Sequence, residues 1–137
     1  VETVTCIAKR VRAWTEAKAS KYGYAANLQG LCGIASRKLF RELKRAGYSP
    51  TIGYARNYFY GGHAFVVLNG RIVDVTATQF RCRQKVVVSK LGVSKRWYWK
   101  PAKHYSSDRA FLNYQQQSGW SGEQVQWQWR PLWEEVE

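Results

Sequence analysis

The 137-residue chain has no methionine, only nine Asp and Glu side chains, and three cysteines in no CxxC spacing. The missing methionine implies that an initiator is removed or that the chain begins inside a longer protein. Cys6, Cys32 and Cys82 form an odd, scattered set. That argues against a disulfide framework, and against a zinc site, which needs Cys, His or carboxylate ligands at close spacing. Reduced thiols point to an intracellular setting, so the expected location is the cytoplasm, or a host cytoplasm if the chain is phage-encoded. No apolar stretch reaches the roughly 18 residues that cross a bilayer, and the opening VETVTCIAKRVRAW lacks the apolar centre of a signal peptide. No metal and no cofactor are expected.

What is abundant is aromatic and basic. Seven Trp, nine Tyr and five Phe in a chain that is 45% hydrophobic supply enough apolar material for one core, hence one domain over residues 1–137. The 22 Lys and Arg leave a net charge of +13, which attracts something anionic: nucleic acid, an acidic protein or a membrane surface. Small basic proteins of viral or mobile-element origin share this balance.

No repeat and no linker interrupt the chain. Val4, Ile7, Ala8, Val11 and Trp14 recur at helical spacing, with Lys9, Arg10 and Arg12 largely off that face, so residues 2–20 are read as a helix. A second helix spans about Leu31 to Ala46 and is stopped by Gly47 and Pro50. The period then changes. TIGYARNYFY, HAFVVL and RIVDVT read as strands, the last two joined by Asn69-Gly70, and VVV at 86–88 as a further one. An Asn-Gly pair between apolar runs is a strong hairpin signal, because both turn positions need positive φ. Arg96 to Trp99 is read as a short strand and Asp108 to Gln117 as a helix. The Gln-rich end, carrying Trp120, Trp127, Trp129 and Trp133, is expected to dock on the core. Two helices followed by antiparallel strands make the expected fold α+β, with N-terminal helices packed on an antiparallel sheet.

Cys32 lies where the second helix begins. Cys32, Ala35, Ser36, Leu39 and Leu43 share one face, and Arg37, Lys38, Arg41, Lys44 and Arg45 the other, so the thiol points inward. A helix start carries roughly +0.5 of a charge and several unpaired N–H groups. Such an end stabilises negative charge on sulfur and can bind an oxyanion. Gly33 leaves room for a substrate backbone. The plainer alternative is a small buried residue at a helix start.

The hairpin supplies the rest. With a two-residue turn at Asn69-Gly70, Leu68 pairs with Arg71, and continuing outward His63 falls opposite Thr76 and Asp74 opposite Phe65. His63 and Asp74 then share a face as diagonal neighbours about 7 Å apart, close enough for a carboxylate to orient an imidazole. Both faces of the hairpin are mainly apolar, so it is central in its sheet, where an ionisable pair is costly unless paired.

LQGLCGIASRKLFRELKRAGY followed by GGHAFVVLNGRIVDVTATQF resembles the core of the transglutaminase-like and papain-like cysteine enzymes, over residues 27–80. In those families a Cys opens a helix packed on an antiparallel sheet, a His begins a following strand, and an Asp or Asn lies on the next. The GHAFV and VDVT segments are similar to small transglutaminase-like proteins of bacteria and their viruses. The resemblance implies a papain-like or transglutaminase-like core and a catalytic triad of Cys32, His63 and Asp74. Papain-like enzymes place an oxyanion-hole Gln further upstream, at the position held here by Ala26. Gln29 is therefore a candidate, with Asn27 and Gln79 as rivals, and the Cys32 N–H able to serve as well.

Two functions fit. One is a thiol-dependent acyl-transfer enzyme acting on a peptide bond or Gln side-chain amide of a protein substrate, for which the net charge would suit an acidic one, as peptidase, deamidase or transglutaminase. The other is a basic module binding nucleic acid or protein on an enzyme-like fold, supported by the mixed cations and rings of SKRWYWKPAKHY. His104 in a polar stretch, Cys82 between two arginines and Cys6 off the apolar face of the first helix are given no role.

Overall fold

A computed structural model describes residues 2–59, 61–117 and 136. The Thr3 hydroxyl accepts the Cys6 N–H at 3.2 Å and so caps the first helix, α1 (Val4–Tyr22), which ends at Gly23 in the left-handed region, φ 76°. The second helix, α2 (Cys32–Arg45), closes where the Tyr48 N–H bonds the Leu43 carbonyl at 3.0 Å around Gly47, φ 96°. A third, α3 (Asp108–Gln117), follows the sheet.

Five strands, β1 (Thr51–Asn57), β2 (Gly61–Leu68), β3 (Arg71–Asp74), β4 (Val87–Lys90) and β5 (Lys103–Tyr105), form one antiparallel sheet in the order β4-β3-β2-β1-β5. Leu68 pairs with Arg71, Val67 with Ile72 and Val66 with Val73. This is the register expected from the turn, whose Asn69 and Gly70 have φ of 51° and 71°. The protein is thus α+β, with helices on an antiparallel sheet.

Both sheet faces are covered. Ala64, Val66, Leu68, Val73 and Val75 face the helices, packing with Ile7 and Val11 of α1, Ala35, Leu39 and Leu43 of α2, and Phe111 of α3. Ala55, Phe65 and Ile72 point the other way, under Ala77, Tyr98 and Trp99. Those last come from two short 3₁₀ turns, Ala77–Phe80 and Trp97–Trp99.

Several expectations change. Arg96 to Trp99 is not a strand: residues 97–99 turn so that Tyr98 and Trp99 fold over the sheet. β1 ends at Asn57 and β3 at Asp74, where the chain leaves for the Ala77–Phe80 turn. β5 has no signal in its Lys103-His104-Tyr105 sequence and is held as an edge strand by pairing with β1. Two arginines assigned to solvated faces are buried. Arg12 crosses from α1 to donate through Nη1 to the Val75 carbonyl and to Thr78 Oγ1, both at 2.9 Å. Arg37 is fully buried under the start of α3, with Nη2 3.5 Å from Asp108 Oδ2, the carboxylate that Arg41 Nε also meets at 2.7 Å. A helix with neighbours on two sides buries more than its apolar stripe. The expected docking of Trp120, Trp127, Trp129 and Trp133 lies outside the described residues. No helix among the described residues is long and apolar enough to cross a membrane.

Candidate functional site

Cys32 is the first residue of α2, and Leu31 before it provides no side-chain cap, so the first-turn N–H groups meet no capping side chain. The sulfur is buried, with the residue 5% exposed. His63 is the third residue of β2, opposite Ala55 of β1, and is fully buried. Asp74 ends β3. Its Oδ2 meets His63 Nε2 at 2.7 Å and accepts the Trp99 indole N–H at 2.8 Å; its Oδ1 accepts the Thr76 backbone N–H at 2.9 Å. With the Thr76 hydroxyl, which also donates to Oδ1 at 3.4 Å, four donors converge on one carboxylate. The other ring nitrogen, Nδ1, lies 3.2 Å from the Gln79 side-chain nitrogen, and the Cys32 sulfur helps to raise the pKa of the same ring. Phe80 meets the ring edge-to-face at 4.8 Å, and Tyr98 stacks on Phe80 at 4.1 Å, which closes that side of the site to water.

The electrostatics follow from burial against pairing. Burial pushes the His63 pKa down, but the Asp74 charge and hydrogen bond, and then the Cys32 sulfur, outweigh it and raise it to about 10. Burial likewise works against the Asp74 anion, yet the His63 charge and the His63, Trp99 and Thr76 hydrogen bonds leave its pKa lowered. Both shifts favour an imidazolium–carboxylate pair.

A pH profile of stability follows. His63, raised from 6.5 toward about 10, contributes stability that is complete below pH 6.5 and is lost as pH climbs to about 10. Asp74, lowered from 3.8, contributes stability that is complete above pH 3.8 and is lost as pH falls through its lower folded value. Melting temperature should therefore peak between about pH 4 and 6.5 and fall toward pH 9. A profile still rising from neutral to alkaline pH would contradict the pairing.

Protonation at Nδ1 makes that nitrogen a donor, which the Gln79 N–H group cannot face. The Gln79 amide must then turn its oxygen to the ring or yield the nitrogen to Cys32.

The structure therefore brings Cys32, His63, Asp74 and Gln79 together. It leaves Asn27 and Gln29 exposed, the Asn27 side chain accepting the Gln29 backbone N–H at 3.1 Å. Sequence reasoning missed Trp99 as a donor to Asp74. Its neighbours in WYW suggest only an apolar strand, and no local signal ties residue 99 to residue 74. Cys6 is exposed, Cys82 half-buried and His104 on the surface. Among the described residues, no group of three or more His, Cys, Asp or Glu side chains is placed to hold a metal ion.

Compared with protein-family models, curated proteins and solved structures, the chain finds no match.

Proposed function

We propose that this protein is a cysteine-nucleophile acyl-transfer enzyme built on a papain-like or transglutaminase-like core, with Cys32, His63 and Asp74 as its triad. The observation that carries the reading is the division of one buried imidazole. Nε2 is held by a carboxylate, and the Cys32 sulfur at a helix start is among the groups that raise the pKa of the same ring.

The chemistry is then direct. The thiol proton already resides on His63 Nδ1 in the resting pair, and Asp74 stabilises the imidazolium, which leaves the sulfur as the nucleophile. The sulfur attacks a carbonyl carbon; a C–S bond forms and the carbonyl π pair moves to oxygen, which the first-turn N–H groups of α2 can bind. Collapse breaks the C–N bond, and His63 gives its proton to the departing amine or ammonia. Water or a second amine attacks the thioester and forms a C–O or C–N bond, His63 takes its proton, and the C–S bond breaks with its electron pair returning to sulfur beside the imidazolium. A peptide bond or a Gln side-chain amide of a protein substrate fits this cycle, so peptidase, deamidase and transglutaminase are its three outcomes. The +13 net charge favours an acidic protein as substrate.

Alkylation tests the reading without a known substrate. Accessibility alone ranks Cys6 first and buried Cys32 last. The proposed pairing reverses that order, so iodoacetamide at about pH 6 should label Cys32 fastest, as read by peptide mass spectrometry. Labelling in order of exposure would sink the proposal.

The alternative of a basic nucleic-acid-binding module has less behind it. Rings that would have stacked on bases, Tyr98 and Trp99, are buried against His63 and Asp74. The net charge remains, with the part-buried Trp97 and Tyr105 of the same segment.

A further inference from the structure

Helix α3 reaches the site over one glycine directly, Gly33, and over a second, Gly62, by way of Tyr54 of β1; each glycine is adjacent in sequence to a triad residue. Gly62 precedes His63, and a Cβ there would collide with the Tyr54 hydroxyl; Tyr54 in turn packs edge-on against Tyr114 of α3 at 5.2 Å. Gly33 follows Cys32, and a Cβ there would lie 3.1 Å from Cδ and 3.3 Å from Oε1 of Gln115, with Nε2 closer still. The Gln115 amide thus lies directly on the first turn of α2. It is 9% exposed, and its Oε1 has no hydrogen-bond partner among the described residues. A buried amide oxygen without a donor loses hydration without gaining a bond, so nothing on that oxygen holds the amide in its present orientation. The placement is stable, because Asp108 at the start of α3 is held by Arg37 and Arg41 of α2.

We infer that Gln115, packed over Gly33, donates its side-chain N–H to the oxyanion formed when Cys32 attacks an acyl group. This rests on the acyl-transfer reading above. A half-turn of the amide exchanges its two ends without changing its shape. Beside the N–H groups of a helix start, negative charge growing on a substrate oxygen selects the N–H end. Gln79, the nearer candidate by sequence, is already engaged by Thr76: its amide nitrogen lies 3.1 Å from the Thr76 carbonyl and 3.3 Å from the Thr76 hydroxyl. Gln115 is a catalytic residue on this account, since it touches the reacting oxygen, and Gly33 is the vacancy that admits it.

Two reagents separate the roles. Iodoacetamide alkylates sulfur with no tetrahedral intermediate. p-Nitrophenyl acetate acylates it through one: the C–S bond forms, the C–O bond breaks, p-nitrophenolate leaves, and water later releases acetate. Gln115→Leu should slow p-nitrophenolate release from Cys32 by about 100-fold while leaving its alkylation rate unchanged. Gly33→Ala keeps Gln115 but displaces its flexible end, and should give the same split in a folded protein. Acylation by either variant at the parent rate overturns the assignment. So does an equal fall in both reactions, which would make Gln115 a packing residue. If the parent releases p-nitrophenolate no faster than Cys32→Ala does, the acyl-transfer reading itself fails and this inference falls with it.

Discussion

Asp74→Asn should lower the unfolding free energy by about 3 kcal/mol and the melting temperature by roughly 10 °C, although the side chain keeps its size. The carboxylate is buried and accepts from His63 and Trp99 on one oxygen and from the Thr76 N–H on the other. An amide can offer only one oxygen. Turned one way, its NH₂ group confronts the His63 and Trp99 donors; turned the other, it confronts the Thr76 N–H. Every orientation leaves a buried donor unsatisfied and removes the charge that holds the His63 proton. Trp99→Phe, which removes one of the four donors, should be milder. A melting temperature for Asp74→Asn close to that of the parent would show that the carboxylate is not holding an imidazolium.

Cys32→Ala should do the reverse: acyl transfer to p-nitrophenyl acetate should fall by at least about 10⁴-fold, while unfolding free energy changes by no more than about 1 kcal/mol. Alanine preserves the helix start and removes little buried area, so the fold has slight reason to respond. The reaction has every reason, because the His63–Asp74 pair that would activate a sulfur belongs to the site of Cys32. A second signature is expected in the same variant. The sulfur helps to raise the His63 pKa, so without it the alkaline loss of stability should begin at lower pH. Retained acylation, or an alkaline limb identical to that of the parent, would separate Cys32 from His63 and end the triad.

The two variants pull stability and chemistry apart. Asp74 belongs to a buried network that the fold needs, whereas Cys32 touches that network only at its edge. A merely structural histidine pair would explain the first result and not the second.

The local parts of this protein were written in local signals. Asn69-Gly70, both at positive φ, set the hairpin register, and a period of two then placed His63 and Asp74 on one face. Helical spacing around Cys32 and the stop at Gly47 placed the sulfur at the start of α2. Those decisions involve residues close in sequence, and short-range geometry suffices for them. The tertiary structure decided what depends on distant segments meeting. Trp99 reaches Asp74 across 25 positions, Arg12 reaches Thr78 across 66, and Arg37 disappears beneath α3. It also decided that Gln79 faces the histidine while Gln29 and Asn27 stay on the surface, and that Gln115 lies over Gly33. Periodicity says which side of an element is apolar; which polar group a neighbouring element brings to that side is settled only when the core closes.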